Sequence, residues 1–236
     1  MSDARTEELA GALDAVRERI AAACDAAGRP AGDAHLVVVT KYFPAADVQR
    51  LADVGVVDIG ESRDQEAAAK LAELAPDVRE RLRVHFIGQI QSNKARHIAA
   101  YADVVQSVDR AKVLAPLARG ALERGRVLPV FLQVDLAGDD EGRGGVLPAQ
   151  LPALADATAT TEGLELVGLM AVAPLHVDPA AAFDRLAVLS QRLHEDHPGA
   201  TLISAGMSGD LEQAVAAGAT HLRVGSAILG VRPARR

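Results

Sequence analysis

"HLVVVTKYFPAADVQRLADVGVVDIG", residues 35–60, holds a strand, a helix and a second strand in one short span. His35–Thr40 is too short and too β-branched for a helix, and its unbroken apolar run is that of a strand buried on both faces. The chain turns at Pro44, a helix is predicted over 44–54, and a second strand over 56–60. Lys41 falls at the carboxyl end of the first strand. A charged group there is either a solvated strand terminus or a piece of chemistry.

Working outward, Leu9, Leu13, Val16 and Ile20 recur at helical spacing and Gly28-Arg29-Pro30 stops the pattern, which predicts a leading amphipathic helix. Beyond residue 60 the alternation continues: helix 63–75, strand 82–87, helix 91–100, strand 103–107, helix 109–124, strand 128–135 and helix 148–160. Strand 164–170, helix 179–196, strand 200–204, helix 208–217 and strand 221–224 complete it, giving eight strands. Strands spaced in this way pair in parallel through right-handed crossovers, and eight units predict an α/β fold, a closed (β/α)8 TIM barrel with an extra N-terminal helix. An open, doubly wound sheet is the alternative.

With 236 residues and 49% hydrophobic content the chain can bury a sizeable core, and a single domain over 1–236 is expected. A formal net charge of −7 argues against a nucleic-acid groove, which normally needs a basic face. The one cysteine, Cys24, excludes an internal disulfide and reads as a core thiol in a reducing compartment. The opening residues carry no apolar stretch of signal-peptide length, and nowhere do about 18 apolar residues run together. A cytoplasmic protein with no membrane and no nucleic-acid partner is expected.

Barrels of this kind build their sites from the loops that leave the carboxyl ends of the strands. Those junctions hold Lys41, Gly60-Glu61-Ser62, Gly88-Gln89 with Gln91-Ser92-Asn93-Lys94, Ser107 with Asp109, Asp135, Met170, Ser204 through Asp210, and Arg223 through Ser226. "ISAGMSGD" after the seventh strand places Ser208 at a predicted helix start, with Gly206 and Gly209 permitting close approach. "RVGSAILG" does the same at Gly225 and Ser226, and adjacent loops after strands seven and eight are where such barrels often hold a phosphate. Simple helix capping by Ser and Gly is the bland reading.

The 25 basic residues comprise 21 arginines and four lysines, Lys41, Lys70, Lys94 and Lys112. An amine can form an imine with an aldehyde, whereas a guanidinium stays charged and cannot. Lys70 and Lys112 are expected on solvated helix faces, and Lys94 is either a helix-surface charge or a second pocket cation. A lysine on strand one facing a phosphate site on strands seven and eight suggests a phosphorylated aldehyde, with pyridoxal 5'-phosphate (PLP) the obvious candidate.

The segments "VVVTKYFP", "DIGESRDQEA", "VHFIGQIQSNK", "LVGLMAV" and "ISAGMSGDLEQAVAAGATHLRVGSAILG" resemble the pyridoxal-phosphate homeostasis proteins, relatives of the barrel domain of alanine racemase. The resemblance runs over nearly the whole chain. It implies a PLP barrel of fold type III that carries the cofactor as an aldimine on Lys41, with Ser62, Met207, Ser208, Gly225 and Ser226 around it. By the same matching, Arg223 lies beside the pyridine nitrogen. A guanidinium there disfavours a protonated ring and weakens it as an electron sink. The implied role is intracellular buffering or delivery of PLP, with apo-PLP enzymes as recipients, little or no turnover, and a monomer or weak dimer. An amino-acid racemase is the alternative, and a cofactor-free lysine aldolase is a third reading. Racemisation needs a second acid/base group; Tyr42 is expected to project away from Lys41, and Tyr101 lies at the far end of strand four.

Three positions depart from the family pattern: Ser62 replaces an expected asparagine, Asp135 another asparagine, and Arg143 a lysine. Other clusters read as structure. His194 and His197 fit a solvated helix end, since no third metal ligand is near. Asp135, Asp139, Asp140 and Glu141 form a mobile acidic loop, His85 a satisfied core histidine, and Met170 barrel lining.

Overall fold

The computed structural model describes residues 3–138 and 144–231. Eight strands close into a barrel in sequence order: β1 (His35–Val39), β2 (Asp58–Glu61), β3 (Arg83–Phe86), β4 (Val104–Val108), β5 (Leu128–Gln133), β6 (Leu164–Met170), β7 (Leu202–Ser204) and β8 (His221–Val224). Every neighbouring pair is parallel, and β1 pairs with β8 from His35↔His221 to Val38↔Val224. The barrel replaces the open-sheet alternative. Asp139, Asp140, Glu141 and Arg143 lie outside the described residues.

The helices are α1 (Ala4–Ala26), α2 (Ala45–Asp53), α3 (Asp64–Ala72), α4 (Pro76–Arg81), α5 (Ala95–Tyr101), α6 (Leu114–Glu123), α7 (Leu151–Ala159), α8 (Pro179–Asp196), α9 (Leu211–Ala216) and α10 (Ser226–Leu229). α1 is started by Asp3, whose carboxylate accepts from Thr6 N–H at 2.8 Å. Its apolar stripe, Leu9, Leu13, Val16, Ile20 and Cys24, is buried across α2, α9 and α10. α4 is an addition to the sequence reading: Pro76 opens it at the first helical position, where a missing N–H is harmless. The helix expected over 208–217 starts only at Leu211, because Asp210 turns back to accept from Met207 N–H at 2.6 Å and holds 207–210 as a turn.

Alternation along each strand divides the side chains between two environments. Outward-facing Val38, Ile59, Val84, Val105 and Leu222 join the main core beneath the helices. Inside the barrel, Val104, Phe131 and Met170 form a small apolar plug, while His35, Asp58, His85, Gln106, Ser204, His221 and Arg223 give the rest of the lumen a polar lining. The rings of His35, His85 and Phe131 stand 5.4, 6.1 and 5.4 Å from that of His221.

Burial pushes the His221 ring down from 6.5 to about 3, with His85, His35 and Arg83 adding to the effect and Asp58 opposing it. His221 therefore folds neutral and takes up a proton on unfolding near its ordinary value. Its contribution to stability is complete above that value and falls with pH by about 1.4 kcal/mol per unit until the folded value is reached. Urea midpoints at pH 7, 6 and 5 should decline in the parent and decline less steeply in His221→Leu.

Candidate functional site

The turn that follows β1 is built by its neighbours. Thr40 N–H donates to Gly60 O at 3.0 Å, and Thr40 O accepts from Phe43 N–H at 3.1 Å, so the strand ends at Val39 and the chain folds over at Lys41 and Tyr42. Tyr42 takes φ 72, a left-handed conformation that costs a non-glycine residue about 1–2 kcal/mol. Glu66 offsets that cost by accepting the Tyr42 N–H. The expectation that Tyr42 faces away from Lys41 assumed a continuing strand; with the chain turned, both side chains line one cavity.

Behind this turn lies a buried ion pair. Lys70 Nζ sits 2.6 Å from Glu61 Oε1 and donates to Thr40 O at 2.8 Å, while Thr40 Oγ1 donates to Glu61 Oε1 at 2.7 Å. Lys70 is 5% exposed and Glu61 fully buried. Lys70 is thus no solvated helix charge. It lies on the same stripe of α3 as buried Ala67 and Leu71, and outward-facing Glu61 on β2 meets it there. Burial pushes the Glu61 carboxyl above the usual carboxylate range, against the pull of Lys70 and Thr40. Lys112 is exposed, as expected.

The cavity at the turn has a volume of about 420 Å³, within the range of small-molecule sites. Lys41, Tyr42 and Phe43 follow β1; Ile87 follows β3; Met170 ends β6 and Val172 follows it; Met207 to Gly209 follow β7; Arg223 lies on β8, with Gly225 and Ser226 just after it. Six of the seven residues anticipated at the cofactor, Lys41, Met207, Ser208, Arg223, Gly225 and Ser226, are brought together. Met170 both plugs the lumen and lines this cavity. No carboxylate is among the described lining side chains, so Lys41 and Arg223 give the cavity a positive character.

Ser208 and Ser226 meet at one end. Their hydroxyls are 3.2 Å apart, and Ala227 N–H points at Ser208 Oγ at 3.4 Å. Ser208 sits in the turn before α9 rather than at a helix start. Gly206 allows it: at φ +88, a Cβ there would come within 2.6 Å of the Ala214 Cβ. Gly209 has no such duty, since a Cβ would meet nothing within 4 Å. Two hydroxyls and a backbone N–H converging on a positive cavity suit a phosphate.

Arg223 forms part of the wall and is 4% exposed. It donates from NH1 to Ser204 Oγ at 2.5 Å and from NH2 to Ala171 O at 2.8 Å. Burial lowers its pKa to about 10, which leaves it charged at neutral pH. The buried polar residues behind it, Ser204, Gln106 and His85, were legible only as polar letters inside apolar strands; Gln106 in "DVVQSV" is the clearest such signal.

Ser62 falls elsewhere. It lines a neighbouring cavity of about 580 Å³ with Arg63, Asp64, Gln89, Gln91 and Lys94. Lys94 is a pocket cation, 3.6 Å from Asp64, not a bare surface charge. The loops after β2 and β3 touch between the two cavities: a Cβ on Gly88 would lie 2.0 Å from Ser62 O. Tyr101 closes α5 and lies outside the Lys41 cavity, and burial beside Asp64 and Glu61 raises its hydroxyl far above the usual value. His85 is buried and bonded through both ring nitrogens, and His197 pairs with Asp156 at 3.2 Å. Among the described residues, no group of three or more His, Cys, Asp or Glu side chains could hold a metal, and no helix is long and apolar enough to cross a membrane.

Removing the cation alone should expose the dependence of this turn on the ion pair. Lys70→Met leaves Glu61 buried without its partner and should cost about 3–5 kcal/mol in urea unfolding, with Lys70→Met/Glu61→Gln recovering much of it.

Known proteins are similar to this chain in sequence and fold. The family model for the alanine racemase N-terminal domain matches residues 12–233. The pyridoxal phosphate homeostasis protein of Mycobacterium tuberculosis is 44% identical over 247 residues, covering 98% of this chain and 95% of its own. PipY from Synechococcus elongatus, whose structure has PLP bound, is 34% identical with a TM-score of 0.78, covering 94% of this chain and 100% of its own. A protein of unknown function from Bifidobacterium adolescentis superimposes with a TM-score of 0.89 at 34% identity, over 97% of both chains. The chain therefore belongs to the alanine racemase N-terminal domain family, among the pyridoxal phosphate homeostasis proteins.

Proposed function

We propose that this chain binds pyridoxal 5'-phosphate in the Lys41 cavity and serves in its homeostasis, buffering or delivering the cofactor inside the cell with little or no turnover. The observation that carries the reading is the convergence on one cavity of a lysine, a pair of serine hydroxyls beside a backbone N–H, and a buried arginine. The cofactor supplies an aldehyde. Lys41 is the amine we assign to it, adding to the carbonyl carbon with loss of water. Ser208, Ser226 and the Ala227 N–H hold the phosphate, Met207 borders the cavity, and Arg223 takes the pyridine nitrogen. Ser62 lines the adjoining cavity rather than this one.

Arg223 argues for holding over turnover. A guanidinium that stays charged and only donates hydrogen bonds keeps the ring nitrogen unprotonated, which makes stabilisation of a carbanion poor. One observation favours the racemase reading instead: Tyr42 lines the same cavity. It leaves the backbone in the same tight turn as Lys41, however, and its ring carries the Arg63 guanidinium 5.6 Å away. Acid and base groups on opposite faces of a substrate normally come from separate elements. The apo forms of PLP enzymes are the recipients this role calls for.

Purified parent protein given PLP should show a visible band that Lys41→Ala lacks, and borohydride reduction followed by peptide mapping should place the cofactor on Lys41. A colourless parent would overturn the reading. Little deuterium should enter the α-carbon of alanine and other amino acids in D2O; rapid incorporation would establish the racemase. Ser208→Ala combined with Ser226→Ala should weaken PLP binding by about 10–100-fold while leaving pyridoxal, which lacks the phosphate, nearly unaffected.

A further inference from the structure

An uninterrupted line of buried hydrogen bonds runs through the lumen from the cavity wall to the opposite end of the barrel. Arg223 NH1 donates to Ser204 Oγ at 2.5 Å, Ser204 Oγ donates to Gln106 Oε1 at 2.7 Å, and Gln106 Nε2 meets His85 Nδ1 at 2.9 Å. His85 Nε2 then meets Asp58 Oδ1 at 2.8 Å. Five strands, β8, β7, β4, β3 and β2, contribute one residue each. Ser204, Gln106 and His85 are at most 1% exposed, so water does not compete for these groups.

The two ends fix the direction of every bond between them. Arg223 can only donate, so Ser204 Oγ accepts from it and its own proton needs another acceptor, which the Gln106 carbonyl oxygen provides. The amide nitrogen of Gln106 then faces His85 Nδ1, which must accept. The imidazole proton therefore sits on Nε2, where the Asp58 carboxylate, an acceptor when ionised, receives it. Asp58 also has Arg83 at 3.1 Å, and His85 and Arg83 help to hold its carboxyl below the usual carboxylate range against burial. His35 and His221 stand beside the line but outside it; His221 Nδ1 is turned to Thr220 Oγ1 at 2.9 Å.

We propose that Ser204, Gln106 and His85 are positioning residues for Arg223, forming a single-polarity relay anchored on Asp58 that sets how the guanidinium meets the ligand's ring. The proposal rests on the reading of the Lys41 cavity as a PLP site. The relay and the Ala171 carbonyl occupy two of the five guanidinium N–H donors and restrain the group, which lines the cavity with three donors outside these bonds. A relay broken at Gln106 leaves Ser204 free to turn its proton toward the arginine, and Arg223 loses its fixed pose.

The test compares PLP binding and the visible band of the bound cofactor in the parent, Gln106→Leu, His85→Leu, His85→Gln and Val104→Ala. A glutamine at 85 can donate to Asp58 and accept from Gln106, so it preserves the polarity that leucine destroys. Val104→Ala opens space in the apolar plug beside His85 while leaving all five hydrogen-bonding side chains of the relay in place, and thermal midpoints report how much each variant loses in stability alone. Gln106→Leu and His85→Leu should weaken PLP binding by about tenfold or more and shift the band, with His85→Gln returning both toward the parent. Val104→Ala should lower the midpoint and leave the band in place. In the ligand-free parent, the 15N spectrum of the His85 ring should show the proton on Nε2. A folded Gln106→Leu with the parent's affinity and band, a His85→Gln as damaging as His85→Leu, or a proton on Nδ1 would overturn the relay while the PLP site stood. A parent that binds no PLP would overturn the site and the relay together.

Discussion

The seam between β1 and β8 is the constraint on which the site depends. Four paired positions, from His35↔His221 to Val38↔Val224, join the first strand to the last and leave the sheet without an edge. Lys41 lies just past one side of that seam and Arg223, Gly225 and Ser226 on or just past the other. The contact is between the two ends of the chain, so it carries the largest loop-closure cost of any strand pair in the barrel. α1 braces it from outside. Arg5 donates to the Leu229 carbonyl at 3.0 Å, and Arg29 donates to the Val215 and Ala219 carbonyls at 2.8 and 2.9 Å, tying the leading helix to the last turns of the barrel. The extra helix is therefore part of what brings the two halves of the site together.

β2 shows how a four-residue strand serves two polar systems at once. In "DIGE", Asp58 points into the lumen and anchors the line that ends on Arg223, whereas Glu61 points outward and pairs with Lys70 behind the Lys41 turn. A one-residue slip of register would exchange the two faces. Glu61, Lys70 and Arg223 are charges almost closed to water, whereas Asp58 keeps partial access; both systems meet the cost by bonding several partners together. The match is incomplete at one atom, Glu61 Oε2, which is buried without a hydrogen-bond partner.

The fold was legible because periodicity is a local property. β-branched runs of strand length, separated by helical stretches, specify the alternating order; α4, the starts of α5 and α9 and the exact strand ends escaped it. The cavity was legible in part for a related reason: Lys41, Ser208, Arg223 and Ser226 are polar residues, and Gly225 a glycine, on or beside strand carboxyl ends, and the barrel gathers those ends. What stayed hidden depends on partners distant in sequence. Tyr42 turns into the cavity because Glu66 receives its N–H; nothing in "TKYFP" requires it. Lys70 is buried because α3 brings it against Glu61, although its place between Ala67 and Leu71 on one helical stripe was a usable sign. Ser62 ends up lining the neighbouring cavity, with its backbone packed against Gly88 from the next loop.

The Lys41 cavity is unequal in its construction, and that inequality bears on what it can do. Its floor is Arg223, 4% exposed and bonded to two buried groups, within strands that cannot move without opening the barrel. Its anion end is Ser226 and Ala227, both exposed, on α10, a helix of four residues, with Ser208 in a turn beside it. Its rim carries Met207 and Val172, each 38% exposed. In the proposed binding mode the ring lies against buried Arg223 and the phosphate against exposed Ser226 and Ala227, which solvent also reaches. On that proposal the open phosphate end suits holding and passing on a molecule more than enclosing it for chemistry, which generally requires a covered site that excludes water.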